Sequence, residues 1–211
     1  MAQGACADAF LSEDDYLYWL ALRMTPGLGA RKAGQLIEIL RSPQVIFRAS
    51  RSELESARLS ASVAQSLSSG CAFDDAVTQR QKLIEHGAAL IPLPDPRYPP
   101  RLRDIFDPPH ILFARGRVDL LQSLMLAIVG TRRPTTCGTA AAGRLGKDLC
   151  LAGLTIVSGM ARGIDPAAHK ATLEAGGDTV AVFGCGVGWH GQWKGSLARG
   201  RLPRLAVGRP R

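Results

Sequence analysis

Three short apolar runs in the second half of the chain are each followed closely by a glycine. They cover residues 124–129, 155–157 and 179–183, and they consist mostly of Val, Ile, Leu and Ala. Nearly continuous apolar runs of this length are typical of strands buried on both faces of a parallel sheet. Segments of helical character lie between them, so the order is strand, helix, strand, helix, strand. This pattern predicts an α/β domain with a parallel sheet.

Helical spacing of apolar residues dominates the earlier part of the chain. Helices are predicted at 14–24, 30–40, 42–48, 52–57, 60–67 and 73–85. Residues 14–86 therefore predict a small all-helical domain, preceded by residues 1–13, which we expect to be disordered. The sequence Thr-Pro-Gly-Leu-Gly at 25–29 fits two structures. One is a tight turn between core helices, and the other is a helix-hairpin-helix whose second helix offers backbone amides to a DNA phosphate.

Residues 87–123 contain seven prolines, a density that forbids a long helix or a central strand. A short apolar run at 88–93 predicts an edge strand, and residues 111–113 predict another strand. Residues 101–106 predict one or two helical turns. We interpret this segment as an ordered connector that covers the sheet, and His110 on it as a packed or solvated side chain rather than a catalyst.

Composition indicates the class of protein and its cellular location. Apolar residues make up 46% and charged residues 21% of the chain, which is ordinary for a globular protein. The start of the sequence lacks the basic residues of a signal peptide, and no apolar run approaches the roughly 20 residues of a membrane helix. The five cysteines are scattered without a Cys-x-x-Cys pair, which favours reduced thiols. We expect a cytoplasmic protein with no membrane contact.

The net charge of +8 is unevenly distributed. Residues 188–211 carry six Lys or Arg and no Asp or Glu, so that 8 − 6 leaves only +2 for residues 1–187. The overall basicity is therefore mostly a property of the last part of the sequence. Any case for a nucleic-acid partner has to rest on local sites.

The loop that follows the first apolar run has the parts of an anion site. Residues 130–138 read Gly-Thr-Arg-Arg-Pro-Thr-Thr-Cys-Gly and precede an alanine-rich helix. Thr135 or Thr136 can cap that helix, whose free amides lie beside the guanidinium groups of Arg132 and Arg133. A phosphate group suits this combination. The loop matches neither the dinucleotide fingerprint nor the lysine-containing phosphate loop, and a capped loop with solvated arginines is the alternative interpretation.

The second apolar run leads into Ser-Gly-Met-Ala-Arg-Gly-Ile-Asp-Pro-Ala-Ala-His at 158–169. Asp165, followed by proline, predicts a helix start with Asp165 as the N-cap. Ser158, Asp165 and His169 do not make a convincing catalytic triad, because the Gly-x-Ser-x-Gly elbow is missing. We interpret His169 as a packing or hydrogen-bonding residue. No catalytic residue, metal site or cofactor is predicted.

These motifs, in this order, resemble the DNA-processing protein A family, also called Smf. The loop at 130–138 is similar to the family's Gly-Ser-Arg-x-x-Ser/Thr-x-Tyr-Gly signature, and residues 158–169 are similar to its Ser-Gly-x-Ala-x-Gly-Ile-Asp-x-x-Ala-His motif. Residues 98–116 resemble the family's lead-in, and residues 178–187 resemble its third strand. The resemblance implies a Rossmann-like parallel sheet, here incomplete, behind a helical domain that is similar to a sterile alpha motif.

The same resemblance implies a bacterial protein of natural transformation that is not an enzyme in the usual sense. Such a protein binds and protects single-stranded DNA, helps to load the RecA recombinase and forms homodimers. Arg132 matches the signature arginine of the family's pocket for the DNA backbone. The DNA-binding residues that the resemblance implies are Gly130, Thr131, Arg132, Arg133, Thr136, Gly138, Ser158, Gly159, Arg162 and Gly163. Thr131 replaces a serine, and Cys137 replaces a tyrosine whose ring could stack on a base.

Residues 188–211 depart from the family pattern. The family continues with a second half of the Rossmann-like domain that includes its self-association surface, whereas this segment is rich in Gly and Arg and has no helix or strand period. We interpret residues 124–187 as a partial DNA-binding domain and the tail as the non-native product of a frameshift or truncation. DNA binding would then be impaired and the dimer surface missing. The alternative is a basic arm that binds nucleic acid with help from Trp189 and Trp193.

A second class of function stays open at this point. The core is also similar to that of the lysine-decarboxylase-like phosphoribohydrolases, which process nucleotides. Their Pro-Gly-Gly-x-Gly-Thr loop is not found in this sequence. DNA binding that weakens steeply with salt supports the first class, and release of a base from a nucleoside monophosphate supports the second.

Overall fold

A computed structural model describes residues 11–184 and the backbone of residues 205–208, and the described chain divides into two compact units. Residues 1–10 of the stretch expected to be disordered lie outside the described residues. Ser12 is ordered, since it forms a capping box with Asp15 at the start of the first helix. No helix in the described ranges is long and apolar enough to cross a membrane.

The first unit is built from short helices that begin at serine caps. Its helices are α1 (Glu13–Met24), α2 (Ala30–Leu40), α3 (Pro43–Arg48), α4 (Arg51–Ser56), α5 (Ala61–Ser69) and α6 (Phe73–Glu85). Ser42 and Ser50 each accept a hydrogen bond from a backbone amide in the first turn of the helix that follows, as expected of good N-caps. Leu22, Leu36 and Ile46 are among the buried residues of the core. Every predicted helix of this region is present.

The segment between α1 and α2 is a tight turn packed against the core. The Leu28 amide donates to the Thr25 carbonyl at 3.2 Å, and Leu28 itself is buried. Gly27 has a φ of +76°, and a Cβ there would lie 3.0 Å from Val63. This turn between two helices is common to both interpretations of the sequence, and the contact of α2 with a DNA phosphate stays a prediction.

The second unit contains the sheet. Its strands are β1 (Ala89–Pro92), β2 (Ile111–Gly116), β3 (Met125–Ala127), β4 (Thr155–Ser158), β5 (Thr179–Phe183) and β6 (Leu205–Gly208). Its helices are α7 (Pro100–Arg103), α8 (Thr136–Leu151) and α9 (Ile164–Glu174), with a 3-10 helix at Val118–Gln122. The strand order is β1-β2-β6-β5-β4-β3. Strands β3, β4, β5 and β6 run parallel to one another, and β2 is antiparallel to β6. The predicted parallel sheet with helices between its strands is confirmed.

Residues 205–208 form strand β6 although the tail sequence shows no strand period. Strand β6 pairs with β5 on one side and β2 on the other, with Val207 opposite both Val182 and Ala114. Pairing with two longer-range partners stabilises a four-residue strand that has no pattern of its own. The rest of this tail lies outside the described residues.

Burial on both faces holds for most residues of the central strands β4 and β5 but not for β3. Ile156 in β4 and Ala181 in β5 are fully buried, whereas Leu124 and Val129, which flank β3, are 51% and 75% exposed. The reason is position, because β3 is the last strand in the sheet order. An apolar run at a sheet edge is thus mistaken for a core strand when only the sequence is read.

The proline-rich connector is shared between the two units rather than forming a separate piece. Residues 92–96 and 105–110 group with the first unit, and residues 97–104 group with the second. His110 packs within the first unit, where its Nε2 lies 2.8 Å from the Ala30 carbonyl oxygen. A Cβ on Gly34 would lie 2.6 Å from the His110 ring. The His110 side chain is packed, which is one of the two alternatives predicted for it.

Helices α8 and α9 pack closely through a glycine. A Cβ added to Gly146 would lie 2.9 Å from the Ala168 carbonyl oxygen and 3.0 Å from the Thr172 hydroxyl, whereas a Cβ on Gly143 would make an ordinary 3.6 Å contact with Ala171. We expect Gly146→Ala to lower the free energy of unfolding by about 1–3 kcal/mol, since the helices must move apart.

The matched control for that substitution is Gly143→Ala on the same helix. It should raise the free energy of unfolding by about 0.5–1 kcal/mol, because alanine is the better helix former and the space is available. Urea unfolding of both variants gives the comparison. Equal effects of the two substitutions would contradict the close packing at Gly146.

Candidate nucleic-acid interface

Two loops lie at the carboxyl ends of neighbouring parallel strands, where α/β sheets bind ligands. We call residues 128–135, between β3 and α8, the arginine loop, and residues 159–163, between β4 and α9, the glycine loop. Their backbones are in contact. The Ile164 amide donates to the Thr131 carbonyl at 3.3 Å. The two loops therefore form one surface.

Two glycines make this contact possible. Gly163 has a φ of +100°, and a Cβ there would overlap the Thr131 carbonyl oxygen and lie 2.9 Å from Cα of Arg132. Gly130 is approached from the other side, since a Cβ on it would lie 2.6 Å from Cγ1 of Ile164. Only glycine tolerates so close an approach, and at Gly163 only glycine also adopts the positive φ without strain. Gly130 and Gly163 thus allow the two loops to lie in contact, and their part in DNA binding stays a prediction.

Three guanidinium groups are displayed on this surface. Arg132, Arg133 and Arg162 are exposed, and their side chains form no ion pair or hydrogen bond with another residue in the described part of the chain. Neither loop contains an acidic residue. The nearest carboxylate in sequence, that of Asp165, is buried. The surface is therefore cationic and its charge is unneutralised.

The start of α8 adds backbone donors beside the arginine loop. Thr135 is the N-cap, and its Oγ1 accepts from the Gly138 amide at 3.1 Å, which confirms one of the two predicted caps. Thr131 Oγ1 accepts from the Arg133 amide at 3.2 Å and fixes the loop. The amides of Thr136 and Cys137 have no partner among the described residues. This helix end can receive an anion.

The position where the family has tyrosine is occupied by an exposed thiol. Cys137 is the second residue of α8 and lies on the surface. An aromatic ring at this place would present a face on which a base could stack. The surface described here therefore offers charge and backbone amides but no aromatic platform.

Ser158 differs from the other candidates. Its side chain is buried at 2% exposure, and its Oγ donates to the Ile128 carbonyl at 2.6 Å. The hydroxyl thus ties the end of β4 to the residue after β3. The contribution of Ser158 to DNA binding stays a prediction, and its hydroxyl is used within the sheet.

The prediction that Asp165 caps α9 is wrong. The N-cap is Gly163, the helix begins at Ile164, and Asp165 is its second residue. The Asp165 carboxylate accepts from the Ala161 amide at 3.1 Å, so it holds the glycine loop from inside the helix. The helix starts earlier than the Asp-Pro pair indicates because the chain must turn at Gly163 to contact the arginine loop.

His169 is fully buried in α9 and bonds at both ring nitrogens, as predicted for a hydrogen-bonding residue. Nδ1 lies 2.6 Å from the Thr179 hydroxyl of β5, and Nε2 lies 2.9 Å from the Gly159 carbonyl oxygen. Burial lowers the pKa of His169 below its ordinary value of 6.5, while the Gly159 hydrogen bond and the Asp165 carboxylate oppose that shift. The ring is thus held neutral at physiological pH.

This lowered pKa predicts a pH dependence of stability. Below about pH 6.5 the unfolded chain binds a proton on His169 more readily than the folded chain does. The free energy of unfolding should therefore be fully retained above that pH and decline as the pH falls through the folded-state pKa. Urea unfolding of the protein and of His169→Gln between pH 7.5 and about 5 checks this. Equal pH slopes of the two proteins would contradict the assignment.

Two residues of the site were missed by reading the sequence alone. Ile164 fills the space over Gly130, and Thr179 holds the His169 ring. A weak signal existed for Thr179, since it is a polar residue at the start of an otherwise apolar strand. Nothing in the sequence distinguishes Ile164 from any other core residue.

The second unit is a Rossmann-like α/β domain, with a parallel β3–β4–β5 sheet and the crossover helices α8 and α9. The joined loops at the carboxyl edge of that sheet form its cationic surface. Residues 89–191 match the family model described as DNA recombination-mediator protein A. The resemblance inferred from the loop motifs is therefore confirmed.

Individual relatives agree with this assignment. The DNA processing protein DprA of Bacillus subtilis strain 168 is 43% identical over 103 residues, which are 48% of this chain and 35% of that protein. Protein Smf of Escherichia coli strain K12 is 42% identical over 98 residues, which are 46% of this chain and 26% of that protein. This chain thus spans about a quarter to a third of the length of these relatives.

A solved structure shows the same fold. The X-ray structure of DNA processing protein A from Streptococcus pneumoniae matches with a TM-score of 0.62 and 26% sequence identity. The match covers 91% of this chain and 66% of that chain. The similarity therefore extends beyond the segment matched by the family model.

Proposed function

We propose that this chain binds single-stranded DNA through the sugar–phosphate backbone, as an accessory protein of DNA processing in natural transformation. The observation that carries the proposal is the exposed, unneutralised set of Arg132, Arg133 and Arg162 on two joined loops beside the start of α8. The match of residues 89–191 to a DNA recombination-mediator family supports it, as do relatives named DNA processing protein.

The geometry suits phosphate better than bases. A guanidinium group binds a phosphate through two parallel N–H···O bonds, and the amides at the start of α8 add neutral donors. The loops are already fixed by Gly163, Thr131 and Asp165, so little ordering entropy is lost on binding. Because an aromatic platform is missing at Cys137, we expect binding with little sequence preference.

The wider role is proposed on family resemblance. We infer a cytoplasmic protein that protects incoming DNA and cooperates with the RecA recombinase, and that acts by binding rather than by catalysis. Homodimer formation belongs to the same proposal. The matched segment covers 35% of the Bacillus subtilis protein, so each of these activities needs its own test with this chain.

The experiment is fluorescence anisotropy of a labelled oligonucleotide at several salt concentrations. We expect the logarithm of the association constant to fall with the logarithm of salt by about 0.7 for each phosphate contacted. An oligonucleotide of the same sequence with uncharged methylphosphonate linkages is the control and should not bind. Salt-independent binding, or no binding, would contradict the proposal. Release of a base from a nucleoside monophosphate would instead support the nucleotide-processing alternative.

A further inference from the structure

The glycine loop is held from beneath by two side chains of α9. The Asp165 carboxylate accepts from the Ala161 amide, and the His169 ring contacts the Gly159 carbonyl. Both side chains are buried, with His169 at 0% exposure. Two of the five residues in this short loop are therefore fixed through their backbone by groups that cannot reach a ligand themselves.

The hydrogen-bond partners determine how the His169 ring is protonated. A carbonyl oxygen only accepts, so Nε2 carries the proton and donates the hydrogen bond to the Gly159 carbonyl. In the neutral ring Nδ1 is then an acceptor for the Thr179 hydroxyl, which lies 2.6 Å away. The hydroxyl has one proton, so donating it to Nδ1 excludes a simultaneous hydrogen bond to the Ile156 carbonyl oxygen, which lies 2.8 Å from the same hydroxyl. Thr179 thus sets the orientation of the ring, and the ring sets the position of the loop.

The position of the glycine loop is transmitted to the arginine loop by direct contact. Gly163 packs against the backbone of Thr131 and Arg132, and the Ile164 amide donates to the Thr131 carbonyl. A shift at Gly159 therefore moves Arg162 within its own loop and changes the support beneath Arg132. The two arginines depend on the same buried ring.

We propose that His169 is a positioning residue of the DNA surface, which acts by holding the Gly159 carbonyl so that Arg162 and Arg132 are presented together. The proposal rests on the proposed function. It assigns the positioning of the two arginines to one hydrogen bond, from His169 Nε2 to the Gly159 carbonyl oxygen. An amide side chain that reaches the same acceptor should replace the ring.

The test compares His169→Gln with His169→Asn in the full chain. The glutamine amide can reach the place of Nε2 and donate to Gly159, whereas the asparagine amide reaches only the place of Nδ1. We expect His169→Asn to weaken oligonucleotide binding by about tenfold, and His169→Gln to recover most of that loss. Urea unfolding of each variant shows how far it is folded, and affinities are compared per folded molecule.

A double-mutant cycle with Arg132→Ala separates positioning from a general loss of structure. If His169 acts through the arginines, the His169→Asn loss should shrink to less than about threefold in the Arg132→Ala background. An equal loss in both backgrounds would overturn the proposal. So would equal affinities of the glutamine and asparagine variants at equal folded fraction.

Hydrogen exchange of the loop amides gives a readout that does not need DNA. In His169→Asn the Ala161 and Ile164 amides should exchange faster than in the parent, while those of β4 keep their protection. If the parent protein does not bind the oligonucleotide, the proposed function fails, and this exchange pattern still decides whether His169 positions the loop. Unchanged exchange at both amides would overturn the inference.

Discussion

Arg132→Ala is expected to weaken binding of single-stranded DNA by about ten- to a hundredfold. A charge-assisted hydrogen bond to a phosphate contributes about 1.5–3 kcal/mol, and the exposed Arg132 guanidinium has no competing partner among the described residues. Loss of one phosphate contact should also reduce the salt slope by about 0.7. Anisotropy titrations of the variant and the parent protein at several salt concentrations measure both quantities.

Arg144→Ala is the matched control for that experiment. Arg144 is also an exposed arginine of the second unit, but it lies within α8 and pairs with Asp148 at 3.6 Å. Its removal lowers the net charge by the same amount, so any effect of overall charge is common to both variants. We expect an affinity change below about threefold, since a single distant surface charge acts weakly at physiological salt. Equal losses for the two variants would locate the DNA outside the arginine loop.

Gly163→Ala should have the second large effect, on both stability and binding. A methyl group at this position overlaps the Thr131 carbonyl oxygen, which is backbone and cannot rotate away. The residue also has a φ of +100°, a conformation that costs an L-residue about 1–3 kcal/mol. We expect the free energy of unfolding to fall by about 3 kcal/mol or more, or the loops to separate with loss of DNA binding.

Gly176→Ala provides the comparison that isolates the steric part. Gly176 also has a positive φ, of +81°, but a Cβ there meets nothing within 4 Å. Its replacement should cost about 1 kcal/mol in unfolding free energy and leave DNA affinity unchanged. Urea unfolding and anisotropy of both variants make the test. If Gly163→Ala were as mild as Gly176→Ala, the two loops would not be in the contact described here.

The sequence was sufficient where local signals and burial agree. Apolar periodicity placed the helices of the first unit, and apolar runs placed β3, β4 and β5. It was insufficient for β6, whose four residues acquire strand structure only by pairing with β2 and β5. It also gave no sign that β3 is an edge strand, because position within a sheet depends on the other strands rather than on the run itself.

Some features of the candidate site could likewise be predicted from the sequence, and others could not. The arginines and the glycine pattern are visible in the sequence, because exposed charge and special backbone conformations have recognisable residue types. The role of Asp165 could not be read correctly, since the helix start is set by the contact of Gly163 with the arginine loop. The burial of Ser158 escaped detection for a similar reason. A serine at a strand end looks the same whether its hydroxyl meets water or a carbonyl.

Strand β6 also bears on the order in which the protein folds. It joins β2 to β5, and among the described strands no other pairing connects the β1–β2 pair to the parallel strands. β2 precedes β3, α8, β4, α9 and β5 in the chain, and β6 follows them all. Pairings between such distant segments form slowly because a long loop must close first. During synthesis β2 must therefore wait for the last described strand to leave the ribosome, with its pairing edge open until then.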